Sequence, residues 1–332
     1  MIPTNGMLVR WVICILMLLA PLAVGKDKKQ QEGEALLAKA RELSDIRGAD
    51  AVPFRLHSRV LLWTSCEERV EGGYSLIFAS RNRWREEIQF SGFRQVRLRV
   101  GDRLWRSRNV IYQPVRIQAL TRILDFAPSL KLMWNEQTKK LFDRTRDSTQ
   151  VKCVELQAKK AVKQTICLDS SSGVVVSRES RFSAEEFSQY APWLGKVFPR
   201  RIRVLEGGKP ALEAFVDHLA QETLPDSSLF VPVIGAEEWP TCDDPKPPLA
   251  LNIPEPLFPE HLRGTNAKVL VSIVVGTDGK VARAGVLETP APEFAAATTD
   301  MVLRAWRFRP AMCNGSAIPY EVYVDVAFRS SP

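Results

Sequence analysis

Histidine is scarce: three occur in 332 residues, His57, His218 and His261, each in a different segment. None has cysteine or carboxylate neighbours at spacings that ligate a metal, so no metal site is expected. A nucleophile elbow and a glycine-rich phosphate loop are also missing, which removes two common signs of hydrolytic or nucleotide-dependent chemistry. The expectation is a protein with no cofactor and no enzymatic activity. After residue 25 no apolar run is long enough for a membrane span, and no Cys-x-x-Cys pair occurs; a spanning helix needs about 20 such residues. Acidic residues are outnumbered, 38 against 46 lysines and arginines, for a formal charge of +8. That excess permits contact with anionic headgroups or an acidic partner, and is equally compatible with no electrostatic partner.

What is present begins at the N-terminus. Arg10 precedes the apolar stretch Trp11 to Ala20, Pro21 breaks it, and Ala23-Val24-Gly25 places small residues at a cleavage site. A signal peptide over residues 1–25 is expected, the alternative being an uncleaved anchor formed by residues 11–25. The rest of the chain then sits in an oxidising space, where cysteines pair. Five remain: Cys66, Cys153, Cys167, Cys242 and Cys313.

Hydrophobic period divides the chain. Residues 30–46 carry Leu36, Leu37, Ala40, Leu43 and Ile46 at three- and four-residue steps, which predicts a helix. From Phe54 to Val204 the period is two, in short runs separated by Gly72-Gly73, Ser91-Gly92, Gly101-Asp102 and Ser170 to Gly173. Strands joined so tightly pair antiparallel. One helix interrupts them over residues 115–126, with Ile117, Leu120, Ile123 and Leu124 on one face. Residues 223–260 hold nine prolines; lacking amide donors, they predict an extended connector. The last segment alternates again. KVLVSIVV and KVARAGVLE flank a turn containing Asp278-Gly279, a strong hairpin signal, and Pro292 opens a helix with Phe294, Ala297, Met301 and Ala305 on one face. Ile318 to Phe328 closes the chain as a strand.

The fold class is therefore α+β: a large curved antiparallel sheet with helices (residues 26–222), a proline-rich connector (223–250) and a small β-β-α-β domain (251–332). The last domain resembles the C-terminal domain of the TonB family of energy transducers. The matching features are the lead-in PEPLFPEHLRG, the hairpin VSIVVGTDGKV, the helix exit AWRFRPA and the terminal VDVAF. Residues 54–204 resemble, more loosely, the LolA-like periplasmic lipoprotein carriers, through SRNRWREEIQF followed by QVRLRVGDRLWRS. The resemblances imply a periplasmic, non-enzymatic binding protein acting in envelope transport or protein–protein interaction. Its partner would be an envelope or outer-membrane protein captured along the final strand. Glu321, Val322, Tyr323, Val324 and Asp325 would form that site, with Glu321, Tyr323 and Asp325 as the outward groups. The competing reading is that the connector covers this edge. A carrier of lipid or lipoprotein is the alternative function, with Trp63, Phe78, Trp84, Phe90 and Leu98 lining an apolar groove. An uncleaved N-terminal helix would instead make the chain an anchored energy transducer.

Two disulfides are expected. Cys153 and Cys167 lie seven residues either side of Lys160, so a hairpin about that residue sets them face to face. Cys242 with Cys313 would staple the connector to the last domain, contributing roughly 2–4 kcal/mol, and Cys66 would stay unpaired. The arginine-rich stretch Arg81 to Arg108, with Trp84, Phe90, Phe93 and Trp105, has the composition of a nucleic-acid face. Alternation of Arg97 and Arg99 with Val96, Leu98 and Val100 fits a half-buried strand better, and no nucleic-acid partner is expected.

Overall fold

A computed structural model describes residues 28–63, 68–132, 136–158, 162–223, 225–242, 245–262 and 266–329. The expected signal or anchor segment and Cys66 lie outside the described residues. Helix α1 (Lys28–Ser44) leads into strands β1 (Phe54–Trp63), β2 (Arg69–Ser80), β3 (Arg83–Phe90), β4 (Phe93–Val100) and β5 (Arg103–Arg108). After α2 (Val115–Leu124) come β6 (Glu136–Arg146), β7 (Thr149–Ala158), β8 (Gln164–Asp169), β9 (Val175–Ser180), β10 (Ser183–Trp193), β11 (Lys196–Glu206) and β12 (Lys209–Gln221).

Alternation decides which way each strand faces. In β1, Phe54, Leu56, Ser58 and Val60 are buried, and Phe54 stacks on Phe78 of β2 with ring centroids 4.9 Å apart. Buried faces of this kind supply the main stabilisation, about 1.5–3 kcal/mol for each large apolar side chain. Helix α2 turns Ile117, Leu120, Ile123 and Leu124 to the core, the face its 3.6-residue period sets. Helix α1 buries Leu37, Ala40 and Ser44. Cys153 and Cys167 are direct partners in the β7–β8 register and are bridged.

The C-terminal domain holds β15 (Ala267–Val275), β16 (Val281–Glu288), α3 (Pro292–Ala305) and β20 (Tyr320–Phe328), in sheet order β16-β15-β20. Strands β13 (Glu237–Trp239) and β14 (Leu249–Asn252) precede them. Short β17 (Arg307–Arg309), β18 (Ala311–Cys313) and β19 (Ser316–Ile318) follow α3. Val269, Val271, Ile273 and Val275 alternate into a core shared with Phe294, Trp306, Val326 and Phe328. Helix α3 buries Phe294, Thr298 and Val302, and the expected Ala297 and Met301 pack half-buried against the same core. The β18–β19 hairpin replaces an expected loop. Its signal is Asn314-Gly315, both at positive φ (48° and 87°), as the tight two-residue turn requires.

The connector is extended and adheres to both domains. Residues 227–230 form a turn whose first amides are capped by Asp226, with Phe230 buried under Arg83. Strand β13 pairs with β5, extending the first sheet to 13 strands, and β14 pairs with β17. Cys242 bridges to Cys313, 71 residues away.

The Asp278-Gly279 turn is held against the helix exit: Phe308 N donates to Gly279 O at 2.8 Å. Gly279 sits at φ +78°, and a Cβ there would fall 2.0 Å from Phe308 O. Gly279→Ala is expected to cost about 2–3 kcal/mol, combining left-handed strain with a backbone collision. Gly92→Ala has similar φ and open space, and should cost only about 1 kcal/mol. Urea unfolding midpoints compare the two, and equal losses would contradict the close approach.

Candidate functional site

Strand β20 pairs with β15 along one side only. Strand β14 of the connector lies on β17, and Phe258 of the lead-in packs on Phe328 of β20 with ring centroids 5.8 Å apart. Among the described residues no strand meets the outer edge of β20. Val322 and Val324 pack against the helix-covered core and are half-buried, while Asp325 is exposed and pairs with Lys268 at 2.7 Å. An edge of this kind presents unpaired amides and carbonyls to an incoming extended segment.

Glu321 and Tyr323 are not free outward groups. They lie on the sheet face opposite α3, and that face packs against the first domain. Arg106 donates to Glu321 at 2.8 Å, and Arg108 Nη1 donates to both Glu321 oxygens at 3.0 Å. Ser272 Oγ adds a bond at 3.1 Å, and the Tyr323 hydroxyl donates to Gln113 O at 2.9 Å. The correction has a simple origin. Register places Arg106 opposite Arg97 and Arg108 opposite Gln95; Arg97 is taken by Glu86, so Arg106 and Arg108 draw their carboxylate from elsewhere. Strand β13 seals one side: Trp239 lies under Arg106 at 3.5 Å, and Glu237 accepts from Arg283 of β16 at 2.7 Å. Gly285 of β16 abuts Tyr112, where a Cβ would come within 2.9 Å.

Charge at this seam is unequal. Burial raises the Glu321 carboxyl, but Arg108 and Arg106 outweigh it and hold the group below its usual value. Burial, then the neighbouring Arg108, push Arg106 down to about 10 even though it is ion-paired. Two cations share one anion, so the anion gains and a cation loses.

The five residues expected to line one apolar groove are divided among three places. Phe78 and Trp84 border a cleft of about 920 Å³ lined largely by arginines and carboxylates. Trp63 and Phe90 border a second of about 430 Å³, closed by Leu270 and Leu287 of the C-terminal domain. Leu98 lies on the opposite sheet face, because its β3 partner is Arg85 while Trp84 pairs with Arg99. That same register puts Arg97 and Arg99 on the face shared with Phe78 and Trp84, and leaves Leu98 to the connector side. The sequence reading had missed Arg47, Arg106, Arg108, Gln113 and Asp125 as parts of these contacts; only the density of arginine from 81 to 108 hinted at them. His57 and His218, far apart in sequence, are cross-strand partners on exposed strand positions.

Glu321→Gln is expected to destabilise the seam by about 3 kcal/mol, because it strips two buried guanidiniums of their anion. Acid should act similarly. The folded-state value of Glu321 is lowered, so its contribution is complete above the usual 4.5 and fades as pH falls through the lowered value. Hydrogen exchange of the 111–113 and 283–287 backbone should rise in that window. An identical pH response in Glu321→Gln would show that another group is responsible.

No curated protein matches the chain. Among solved structures, a LolA superfamily protein from Nitrosomonas europaea aligns at 15% identity, over 60% of this chain and 97% of its own, with a TM-score of 0.42. A putative outer membrane lipoprotein-sorting protein domain from Vibrio parahaemolyticus aligns at 15%, over 60% and 96%, with a TM-score of 0.40. The MucA/MucB complex of Pseudomonas aeruginosa gives 11%, 75% and 81%, with 0.28. No helix among the described residues is long and apolar enough to cross a membrane. Two disulfides and the expected signal fit an envelope location. Residues 254–330, the β15–β20 domain with its lead-in, match the family model described as Gram-negative bacterial TonB protein C-terminal.

Proposed function

We propose that this chain is a periplasmic binding protein, not an enzyme, that captures an extended segment of an envelope or outer-membrane protein along the outer edge of β20. The observation that carries the reading is the unpaired edge of a nine-residue strand in a domain that matches the TonB C-terminal family. Main-chain hydrogen bonds would supply affinity. Asp325 and Ala327, the exposed positions of β20, would flank the incoming segment and bias its sequence.

The test exploits the alternation of a strand. Residues of one parity in β20 donate to β15, and residues of the other parity face the open edge. A proline scan over Val322, Tyr323, Val324 and Asp325 removes one donor at a time. At alternate positions the variants should fold normally yet capture an envelope partner at least about tenfold less well. The remaining positions should lose stability instead. Undiminished capture by every folded variant would overturn the proposal.

A further inference from the structure

The 920 Å³ cleft lies between α2 and the β2–β3 and β3–β4 strands, and no residue of β20 borders it. Five arginines border it, Arg47, Arg81, Arg97, Arg99 and Arg122, against three carboxylates, Asp45, Glu86 and Asp125. All three carboxylates are engaged. Asp125 accepts from Arg47 at 2.8 Å, and Glu86 accepts from Arg97 at 3.3 Å and from the Tyr74 hydroxyl at 3.2 Å. Asp45 accepts from the Arg47 amide at 3.1 Å. Arg122 is taken by Glu185 at 2.8 Å. Arg47 and Arg97 further rest on the Trp84 ring, at 5.3 and 5.4 Å from its centroid.

Arg81 and Arg99 differ from these. Among the described residues neither forms an ion pair with a carboxylate. The nearby Asp50 carboxyl is held low by its own backbone amide and by Lys196, its ion-pair partner, and only then by Arg81. Each donates its Nε to a backbone carbonyl instead, Arg81 to Arg47 O and Arg99 to Gly101 O, both at 3.2 Å. Those bonds fix the guanidinium planes and leave the terminal nitrogens for an acceptor from outside. Asn82, beside Arg81, borders the same cleft. Positioning of this kind lowers the ordering cost of binding.

We infer that this cleft binds a phosphate group between Arg81 and Arg99. Phosphate is favoured over carboxylate on oxygen count. One fork of an arginine uses both oxygens of a carboxylate, while inorganic phosphate or a phosphate monoester keeps further free oxygens for a second arginine. The cleft is too large for the anion alone, so the phosphate is carried either as a free small molecule or by a lipid headgroup that enters from the open side. The site is independent of the β20 edge, and its failure would leave that reading intact.

The experiment uses the protein purified from the periplasm of an expressing host. Inorganic phosphate is titrated by calorimetry, and phosphatidylcholine vesicles with and without phosphatidic acid are tested by co-sedimentation. The variant is Arg81→Gln with Arg99→Gln. The control is Lys139→Gln with Lys163→Gln, which removes the same charge from exposed positions elsewhere. Saturable phosphate binding that weakens at least about tenfold in the arginine variant and not in the control supports a free anion. Binding only to vesicles that contain phosphatidic acid, lost in the same variant, supports a headgroup. No binding of either probe, binding that the arginine variant retains, or an equal loss in the control overturns the inference.

Discussion

One carboxylate between two guanidiniums sets how the two domains meet. Desolvating an ion costs several kcal/mol, and a buried pair recovers that only with good geometry and further hydrogen bonds. Glu321 satisfies the condition by accepting from Arg106, Arg108 and Ser272. The arginines satisfy it with different neighbours. Arg108 also donates to Gln95 and Gln113, and Arg106 lies over Trp239. The Tyr323 hydroxyl reaches Gln113 O in the same layer. Removing both arginines and the glutamate together would cost little by comparison. Removing the glutamate alone leaves two buried guanidiniums with no counter-ion, and that asymmetry fixes the orientation of the C-terminal sheet against the first domain.

The connector follows from the same constraint. A proline-rich segment cannot build a helix, but it can donate occasional strand bonds at a sheet edge. Strand β13 does so at β5, and there Glu237 binds Arg283 while Trp239 covers Arg106. The edge of the large sheet is thereby closed by the segment that brings in the second domain. The Cys242–Cys313 bridge then limits how far the connector can part from that domain.

Much of this architecture was legible in the sequence, because its signals are local. Period-two runs located the strands, Asp278-Gly279 located the hairpin, and the mirror positions of Cys153 and Cys167 about Lys160 gave their register. What could not be read depends on contacts far apart in the chain. Alternation in β4 shows that Arg97 and Leu98 face opposite ways, but not which way faces the helices, since both faces are covered. Glu321 reads as one outward group of an edge strand until Arg106 and Arg108 arrive from more than two hundred residues away. The pairing of His57 with His218 needs the β1–β12 register, which joins the two halves of the open sheet in its middle. The burial of Thr298 in α3 needs the sheet beneath it.

The seam also narrows what the C-terminal domain can offer a partner. One face of its sheet is covered by α3, and the other carries Ser272, Glu321 and Tyr323 against the first domain. A partner that packed on that second face would have to displace a desolvated ion cluster. Two strand edges remain. The edge at β16 is crowded, because Arg283 is tied to Glu237 of β13 and Gly285 abuts Tyr112. The edge at β20 carries only the small guard of Asp325, itself paired with Lys268, and Ala327. Native sheets that avoid strand addition blunt their edges with inward charges, bulges or proline. Over nine residues β20 has no proline and pairs with β15 without a register shift; its charges are Glu321, drawn into the seam, and the exposed Asp325. With both faces occupied and one edge crowded, the outer edge of β20 is the part of this sheet that the described residues leave open.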